Sequence, residues 1–263
     1  MRPTAYLRAT ALDARDAVLR RPRDPLIPPH RLAFVGSGDF RAAGDELRKL
    51  FVDLGALQPD EDVLDVGSGV GRVAVGLTGW LHTRYEGIDV VPRGVRWCQQ
   101  AITPRYPNFR FQTADLYNRH YNPVGRFSAD EYQFPFEDRS FDFVVLTSVF
   151  THLLPAARDN YISEIARVLR PKGRCFGTFF LLDEVARRRV HDGRDGLNFR
   201  FERAGYWTNN QRIPEAAVAF EEADVREEFE RNDLRIIDVQ YGSWSGRDNG
   251  IGWQDIVVAA RSS

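Results

Sequence analysis

The sequence predicts an α/β fold in which a mostly parallel sheet carries helices on both faces. Two observations support this prediction. The apolar pair Val63-Leu64 and Asp65 lead into three glycines, Gly67, Gly69 and Gly71, and an amphipathic segment follows. This order is the strand–turn–helix unit of parallel sheets. Short apolar segments near residues 85–90, 109–113, 141–146 and 175–182 then alternate with helical patterns, as such a sheet requires.

Composition indicates an ordinary globular protein. The 263 residues are 43% hydrophobic and 28% charged, which is sufficient for one large α/β domain with smaller additions. The formal net charge of -1 gives no broad positive field, so we expect no nucleic-acid partner. No apolar run is long enough for a membrane span, and Cys98 and Cys175 are predicted to be buried free thiols. We therefore expect a cytoplasmic protein.

The glycine-rich turn predicts a ligand site. Glycines allow a tight turn and leave backbone N–H groups open to a ligand at the start of the next helix. Arg72 stands where a dinucleotide-binding fingerprint would have its last glycine. Asp89 ends the second strand 22 residues after Gly67, where a carboxylate can accept the hydroxyls of a ribose. The alternative is that Asp89 only caps the helix that begins near Pro92.

Later segments extend the pattern in a recognisable order. The third strand leads into Asp115 and Leu116, and the fourth follows in the segment SFDFVVLTSVF, residues 140–150. A helix from about 155 to 169 ends at a turn that contains Pro171 and Gly173. With the glycine-rich turn and Asp89, these motifs resemble class I methyltransferases that use S-adenosylmethionine (SAM), over roughly residues 55–182.

The resemblance implies a Rossmann-like sheet with one antiparallel strand near the C-terminus, and SAM as cofactor. It implies that the loop holds the methionine part of SAM, that Asp89 binds the ribose, and that Asp115 and Leu116 contact the adenine. The cofactor-binding residues that it predicts are Asp65, Gly67, Ser68, Gly69, Gly71, Asp89, Val90, Asp115, Leu116 and Thr147.

The chain divides into two predicted regions. Residues 1–54 form N-terminal helices and a cofactor lid, in which Gly36 and Gly38 suit a moving loop; alternatively, this is a packed turn with Asp39 as a helix N-cap. Residues 55–263 form the SAM-binding domain, with substrate-side insertions at about 116–139 and 183–230 and a helix over 222–231.

Aromatic and amide side chains in the two insertions suit a saccharide, because rings stack on C–H faces and amides pair with hydroxyls. The alternative is that the aromatics pin their loops to the core. The predicted substrate-binding residues are Tyr117, Tyr121, Tyr206 and Trp207.

A hydroxyl acceptor must lose its proton during methyl transfer, and His152 is the predicted general base. It follows the fourth strand, where cofactor and acceptor should meet, and histidine exchanges protons near neutral pH. Alternatively, His152 caps backbone groups or packs under the cofactor. Some sugar O-methyltransferases also use Mg²⁺. Acids such as Asp130 and Glu131 are available here but show no ligand spacing, so the metal site is left unknown.

We therefore expect a SAM-dependent O-methyltransferase acting on a saccharide or similar small molecule. The segments FVGSGDF (34–40), DLYNRHYNP (115–123) and QDIVVAA (254–260) resemble actinobacterial sugar and small-molecule enzymes, including those of the mycobacterial methylmannose polysaccharide type. An N- or C-methyltransferase and a non-catalytic SAM-binding protein remain alternatives. An NAD-dependent oxidoreductase is disfavoured by Arg72 and by the lack of a Tyr-x-x-x-Lys pair. The oligomeric state is left open.

Overall fold

The computed structural model describes residues 3–19, 24–32, 39–118 and 122–262. The helices are α1 (Pro3–Val18), α2 (Phe40–Asp53), α3 (Arg72–Leu77), α4 (Pro92–Ala101), α5 (Pro155–Val168), α6 (Glu184–His191) and α7 (Glu222–Arg231). The strands are β1 (Val63–Val66), β2 (Tyr85–Asp89), β3 (Phe109–Thr113), β4 (Phe141–Leu146), β5 (Leu169–Phe179), β6 (Leu181–Leu182), β7 (Phe201–Arg203), β8 (Tyr206–Thr208), β9 (Val218–Glu221), β10 (Leu234–Gln240) and β11 (Asp255–Arg261).

The main sheet has seven strands in the order β10-β11-β5-β4-β1-β2-β3. Strands β1 to β5 are parallel, and β11 runs antiparallel to both of its neighbours. All four residues of β1 are buried, as expected for a central strand covered on both faces. This sheet confirms the predicted fold, including the antiparallel strand near the C-terminus. Because chain order reverses between β1 and β4, their carboxyl ends open into a crevice.

Helix α2 is held firmly against α3. Asp39 caps α2 by accepting the N–H groups of Arg41 (2.9 Å) and Ala42 (3.0 Å), as the capping alternative proposed. The two helices cross at Gly44 and Gly76, where a Cβ on Gly76 would lie 2.1 Å from the Gly44 carbonyl oxygen. Gly36 and Gly38, the residues proposed for a moving loop, lie outside the described residues.

The segment between β5 and α7 contains a second sheet, ordered β6-β9-β8-β7, which the sequence analysis did not predict. The predicted helix over 222–231 is confirmed as α7. One buried carboxylate connects this region to the main sheet: Asp255 accepts the N–H groups of Leu181 and Gly242 and the indole N–H of Trp244, each at 2.7 Å. The small sheet is therefore fixed to the amino end of β11.

The insertion at 116–139 is pinned to α5. The Asn160 amide donates to the Ala129 and Tyr132 carbonyl oxygens at 3.0 and 2.9 Å. Glu164 accepts the Phe134 N–H at 2.6 Å, and the Phe134 ring is buried. Cys98 and Cys175 are free and buried, as predicted. Within the described ranges, no helix is both long and apolar enough to cross a membrane.

Candidate active site

A cavity of about 480 Å³ lies at the carboxyl ends of β1, β2 and β4. This volume is within the usual range for small-molecule sites. Its walls come from the glycine loop after β1, the ends of β2 and β3, the turn after β4, one face of α2 and the residues just before β11. The predicted site residues on its walls are Gly67, Ser68, Gly69, Asp89, Val90, Leu116, Tyr117, Thr147 and His152.

The glycine loop has the backbone conformation that its sequence predicts. Gly67, Gly69 and Gly71 have φ values of 88°, 57° and 82°. A Cβ on Gly67 would lie only 2.4 Å from Val149 Cγ2, so this position has no room for a side chain. The N–H groups of Gly67 and Ser68 donate to the Ile88 carbonyl oxygen at 2.8 and 3.0 Å, which fixes the loop to β2.

Asp89 links the loop to the start of α4. One carboxylate oxygen accepts the Gly69 N–H and the other accepts the Val91 N–H, both at 2.7 Å. Burial raises the pKa of this carboxyl group. The N-cap of α4 is Val91, so Asp89 does not occupy the capping position proposed as the alternative, and its side chain reaches the cavity. Each carboxylate oxygen keeps a second lone pair that a ligand hydroxyl can use.

Two predicted cofactor residues lie behind the loop instead of on the cavity wall. Asp65 is fully buried and accepts the hydroxyl proton of Tyr85; burial raises its pKa to about 7. Gly71 faces Ile102 and Cys98, whose nearest atoms are 2.6 and 3.0 Å from a built Cβ. Both residues support the loop from beneath.

Asp115 does not reach the cavity. Ala114, Leu116 and Tyr117 line the wall, whereas the Asp115 carboxylate lies outside it and pairs with Arg126. The Asp115 side chain is 38% exposed. Its proposed adenine contact stays a prediction.

His152 ends the short 3₁₀ turn Phe150–His152 and lines the cavity. Its Nδ1 atom lies 2.8 Å from the backbone carbonyl oxygen of Glu215. A carbonyl oxygen can only accept a hydrogen bond, so Nδ1 carries the proton in this contact. Nε2 is then the basic nitrogen of the neutral ring.

A polar network forms the wall beside His152. Gln254 Oε1 accepts the hydroxyls of Ser148 (3.0 Å) and Thr178 (2.7 Å), and Thr178 Oγ1 accepts the Ser148 N–H at 2.7 Å. Ser148 has a φ of 57°, a left-handed conformation that is uncommon outside glycine. Ile251 and Trp253 complete this wall and are 41% and 50% exposed.

Sequence reasoning missed two parts of the cavity. One is the identity of the lining residues on α2, Ala43, Glu46, Leu47 and Leu50: the sequence analysis assigned residues 1–54 to a cofactor lid but singled out none of these four, because their helical spacing is equally typical of core packing. The other is the wall formed by residues 251–254. A tryptophan in a glycine-rich connection beside the sheet is the signal that could have identified it.

Tyr206 and Trp207 do not lie on the cavity walls. Tyr206 packs against the main core, and Trp207 packs against the cluster that contains Phe180, Phe199 and Trp244. Tyr121 lies outside the described residues. No group of three His, Cys, Asp or Glu side chains in the described structure is arranged to hold a metal ion, so the Mg²⁺ option gains no support.

Comparison with known proteins agrees with this geometry. Residues 64–177 match the family model described as a methyltransferase domain, and this stretch includes the glycine loop, Asp89 and His152. An uncharacterized protein of Haemophilus influenzae is 28% identical over 142 residues, which is 54% of this chain and 51% of that protein. The chain thus spans about half the length of this curated relative.

Two solved structures are similar in fold. A SAM-dependent methyltransferase from Methanosarcina mazei has a TM-score of 0.53 and 20% identity, over 79% of this chain and 95% of its own. The 1,6-didemethyltoxoflavin-N1-methyltransferase of Burkholderia thailandensis, solved with bound 1,6-didemethyltoxoflavin and S-adenosylhomocysteine, has a TM-score of 0.53 and 18% identity, over 99% and 89%.

The chain has the α/β architecture of class I methyltransferases, and its residues 64–177 match the methyltransferase domain model. The two solved structures are similar to this chain in fold. Since one of the similar structures is an N1-methyltransferase by name, the fold does not select oxygen as the acceptor atom.

Proposed function

We propose that this protein transfers a methyl group from SAM to a hydroxyl of a small acceptor, with a saccharide as the favoured class. The observation that carries the proposal is that the glycine loop and His152 line one cavity. SAM, when bound, supplies a methyl group already activated on a sulfonium. The protein then has mainly to position the acceptor and remove its proton.

The loop side of the cavity fits the cofactor. Ser68 lines this cavity, and its buried hydroxyl has no hydrogen-bond partner within the described residues. Asp89 offers lone pairs beside it. We propose Gly67, Ser68, Gly69, Asp89, Val90, Leu116 and Thr147 as cofactor contacts, with Asp65 and Gly71 supporting the loop.

The part of the cavity that His152 and Gln254 line fits an acceptor hydroxyl. The Glu215 carbonyl holds the proton on His152 Nδ1, which leaves Nε2 to take the acceptor proton. Both hydroxyl donors of the polar network use Gln254 Oε1, so the Gln254 amide N–H groups remain to bind an acceptor oxygen. The half-exposed rings of Tyr117 and Trp253 can stack on the C–H faces of a sugar.

A flat nitrogen heterocycle is the second candidate acceptor. The same two aromatic side chains would stack on such a ring, and a protein of similar fold is an N1-methyltransferase of a heterocycle by name. Asn118, which also lines the cavity, could pair with ring substituents. In this case His152 would orient the acceptor or take a proton from nitrogen.

The first experiment is calorimetric titration with S-adenosylhomocysteine (SAH), with NADH as the control ligand. We expect micromolar SAH affinity, equivalent to about 8 kcal/mol, and no NADH binding. Asp89→Ala should weaken SAH binding at least tenfold. Asp192→Ala is the matched control and should leave it within about twofold, because Asp192 is exposed at the end of α6 and does not line the cavity. Binding of NADH alone would overturn the cofactor assignment.

The acceptor is then tested with methyl-labelled SAM. Methyl hexopyranosides and flat nitrogen heterocycles are offered in parallel, each with Mg²⁺ and with a chelator. Label on a sugar oxygen supports the proposal, and label only on heterocycle nitrogen replaces it with the second candidate. Loss of sugar methylation in the chelator alone would reopen the question of a metal site.

A further inference from the structure

The contact between His152 and Glu215 joins two distant parts of the chain. Glu215 belongs to the 3₁₀ turn Pro214–Ala216, in the connection from β8 to β9. Its backbone carbonyl, not its side chain, meets His152 Nδ1 at 2.8 Å. The position of this carbonyl therefore depends on how the β8–β9 connection is built.

Two polar side chains build that connection. Thr208 is fully buried at the end of β8; its hydroxyl donates to the Pro214 carbonyl oxygen at 2.9 Å and accepts the Asn210 N–H at 3.2 Å. Asn210 Oδ1 accepts the N–H groups of Arg212 and Ile213 at 3.0 and 3.1 Å. These bonds shape the chain just before Glu215. Neither side chain is on the cavity wall.

We propose that Thr208 and Asn210 are positioning residues for the base: they hold the Glu215 carbonyl where it keeps the His152 proton on Nδ1. The proposal rests on the proposed function, in which Nε2 removes the acceptor proton. The sequence analysis placed the β8–β9 region at the substrate. In our proposal, part of this region instead determines which ring nitrogen of His152 carries the proton, and it does so through its backbone.

The alternative is that the contact is incidental packing between the turn and His152. The two interpretations differ in one observable. If the carbonyl controls the ring, loss of the Asn210 acceptor changes the ratio of the two neutral imidazole tautomers. If the contact is incidental, that ratio does not respond to Asn210.

The test uses the full chain with ¹⁵N-labelled histidine. Long-range ¹H–¹⁵N spectra, recorded at a pH where the ring is neutral, report which nitrogen carries the proton. The histidine signal that disappears in His152→Gln belongs to His152, which assigns it among the five histidines. We expect the Nδ1–H tautomer in the wild type. Asn210→Leu should lower the ratio of Nδ1–H to Nε2–H about fivefold, the value of one ordinary hydrogen bond.

Matched variants distinguish a positioning role of Asn210 from a general loss of structure. Asn210→Asp keeps the side-chain acceptor for Arg212 and Ile213 and should retain the wild-type tautomer ratio. Asn209→Leu makes the same amide-to-leucine change one residue away, where the amide donates weakly to the Leu197 carbonyl at 3.3 Å. It should also retain the ratio. Thr208→Val should lower the ratio as Asn210→Leu does. If Thr208→Val fails to fold, the comparison of Asn210→Leu with Asn210→Asp still tests the proposal.

Two results would overturn the proposal: the Nε2–H tautomer in the wild type, or an unchanged ratio in Asn210→Leu. SAH binding is measured on the same samples, and its absence would overturn the proposed function separately, because the tautomer spectrum requires neither cofactor nor acceptor. Once an acceptor is found, Asn210→Leu should lower kcat more than it raises KM.

Discussion

Replacement of Gly67 by alanine should damage the protein more than the same change at Gly69. At Gly67 the φ of 88° is unfavourable for alanine, and the added Cβ would lie 2.4 Å from Val149 Cγ2. Left-handed strain costs about 1–2 kcal/mol and overpacking about 1–3 kcal/mol. The expected loss for Gly67→Ala is therefore about 2–5 kcal/mol of unfolding free energy.

Gly69→Ala is the matched comparison. Its φ of 57° lies in the left-handed region that alanine can adopt at a cost of about 1–2 kcal/mol. The nearest heavy atom to its added Cβ is the Gly67 carbonyl oxygen at 4.0 Å, so no overpacking is added. Urea unfolding of both variants measures the difference. Equal losses in the two variants would refute the argument that Val149 closes the space over Gly67.

The same pair tests the site. Gly69 lines the cavity and donates its N–H to Asp89. Its new methyl group, with open space around it, should also reduce SAH affinity. Calorimetry on Gly69→Ala should show at least a fivefold weaker SAH complex, the equivalent of about 1 kcal/mol. Unchanged affinity would mean that this face of the loop is not covered by the cofactor.

Three further predictions concern catalysis, substrate and pH. His152→Ala should lower methyl transfer about 10²–10⁴-fold in steady-state assays while calorimetry shows unchanged SAH affinity; equal activity would remove it as the base. Trp253→Ala should raise the acceptor KM about fivefold, whereas Ile237→Ala, which is similarly exposed on β10, should not; equal effects would deny Trp253 a binding role. Burial raises the pKa of Asp255 from 3.8 to about 6, so its protonation stabilises the fold. That contribution to the unfolding free energy is complete below about pH 4 and is lost as the pH rises through 6, about 3 kcal/mol in all. Asp255→Asn should therefore flatten this part of the plot of unfolding free energy, measured in urea, against pH. A variant plot that runs parallel to that of the wild type would contradict the raised pKa.

The fold was predictable because its cues are local. The glycine loop and its neighbouring strands can each be recognised within a few residues, and the antiparallel β11 followed from the family resemblance. The turn predicted at Pro171 and Gly173 was wrong, because both residues belong to β5, which begins directly after α5. The small sheet β6-β9-β8-β7 was not predictable in the same way. Its strands have two to four residues, too few for an alternating pattern to be distinguished from a loop.

The two parts of the candidate site also differ in how far local sequence predicts them. The loop side comes from the continuous region of β1 to β3, so most of its residues could be identified by spacing. Asp115 shows the limit of that method, because the position of a residue along the chain does not show whether its side chain faces the cavity. On the acceptor side, Gln254 bonds to Ser148 and Thr178 across 106 and 76 residues. No spacing rule predicts partners at such separations.

Asp255 shows why the acceptor side should act as one unit. Its neighbour Gln254 belongs to the cavity wall, while its own carboxylate fixes Leu181 at β6 and the Trp244 indole. Strand β6 pairs with β9, and the turn that carries Glu215 leads directly into β9. A shift of the small sheet would therefore affect Gln254 and the His152 contact together. In the proposed function, acceptor recognition and the position of the His152 proton would therefore both depend on this buried carboxylate, although Asp255 itself lies outside the cavity.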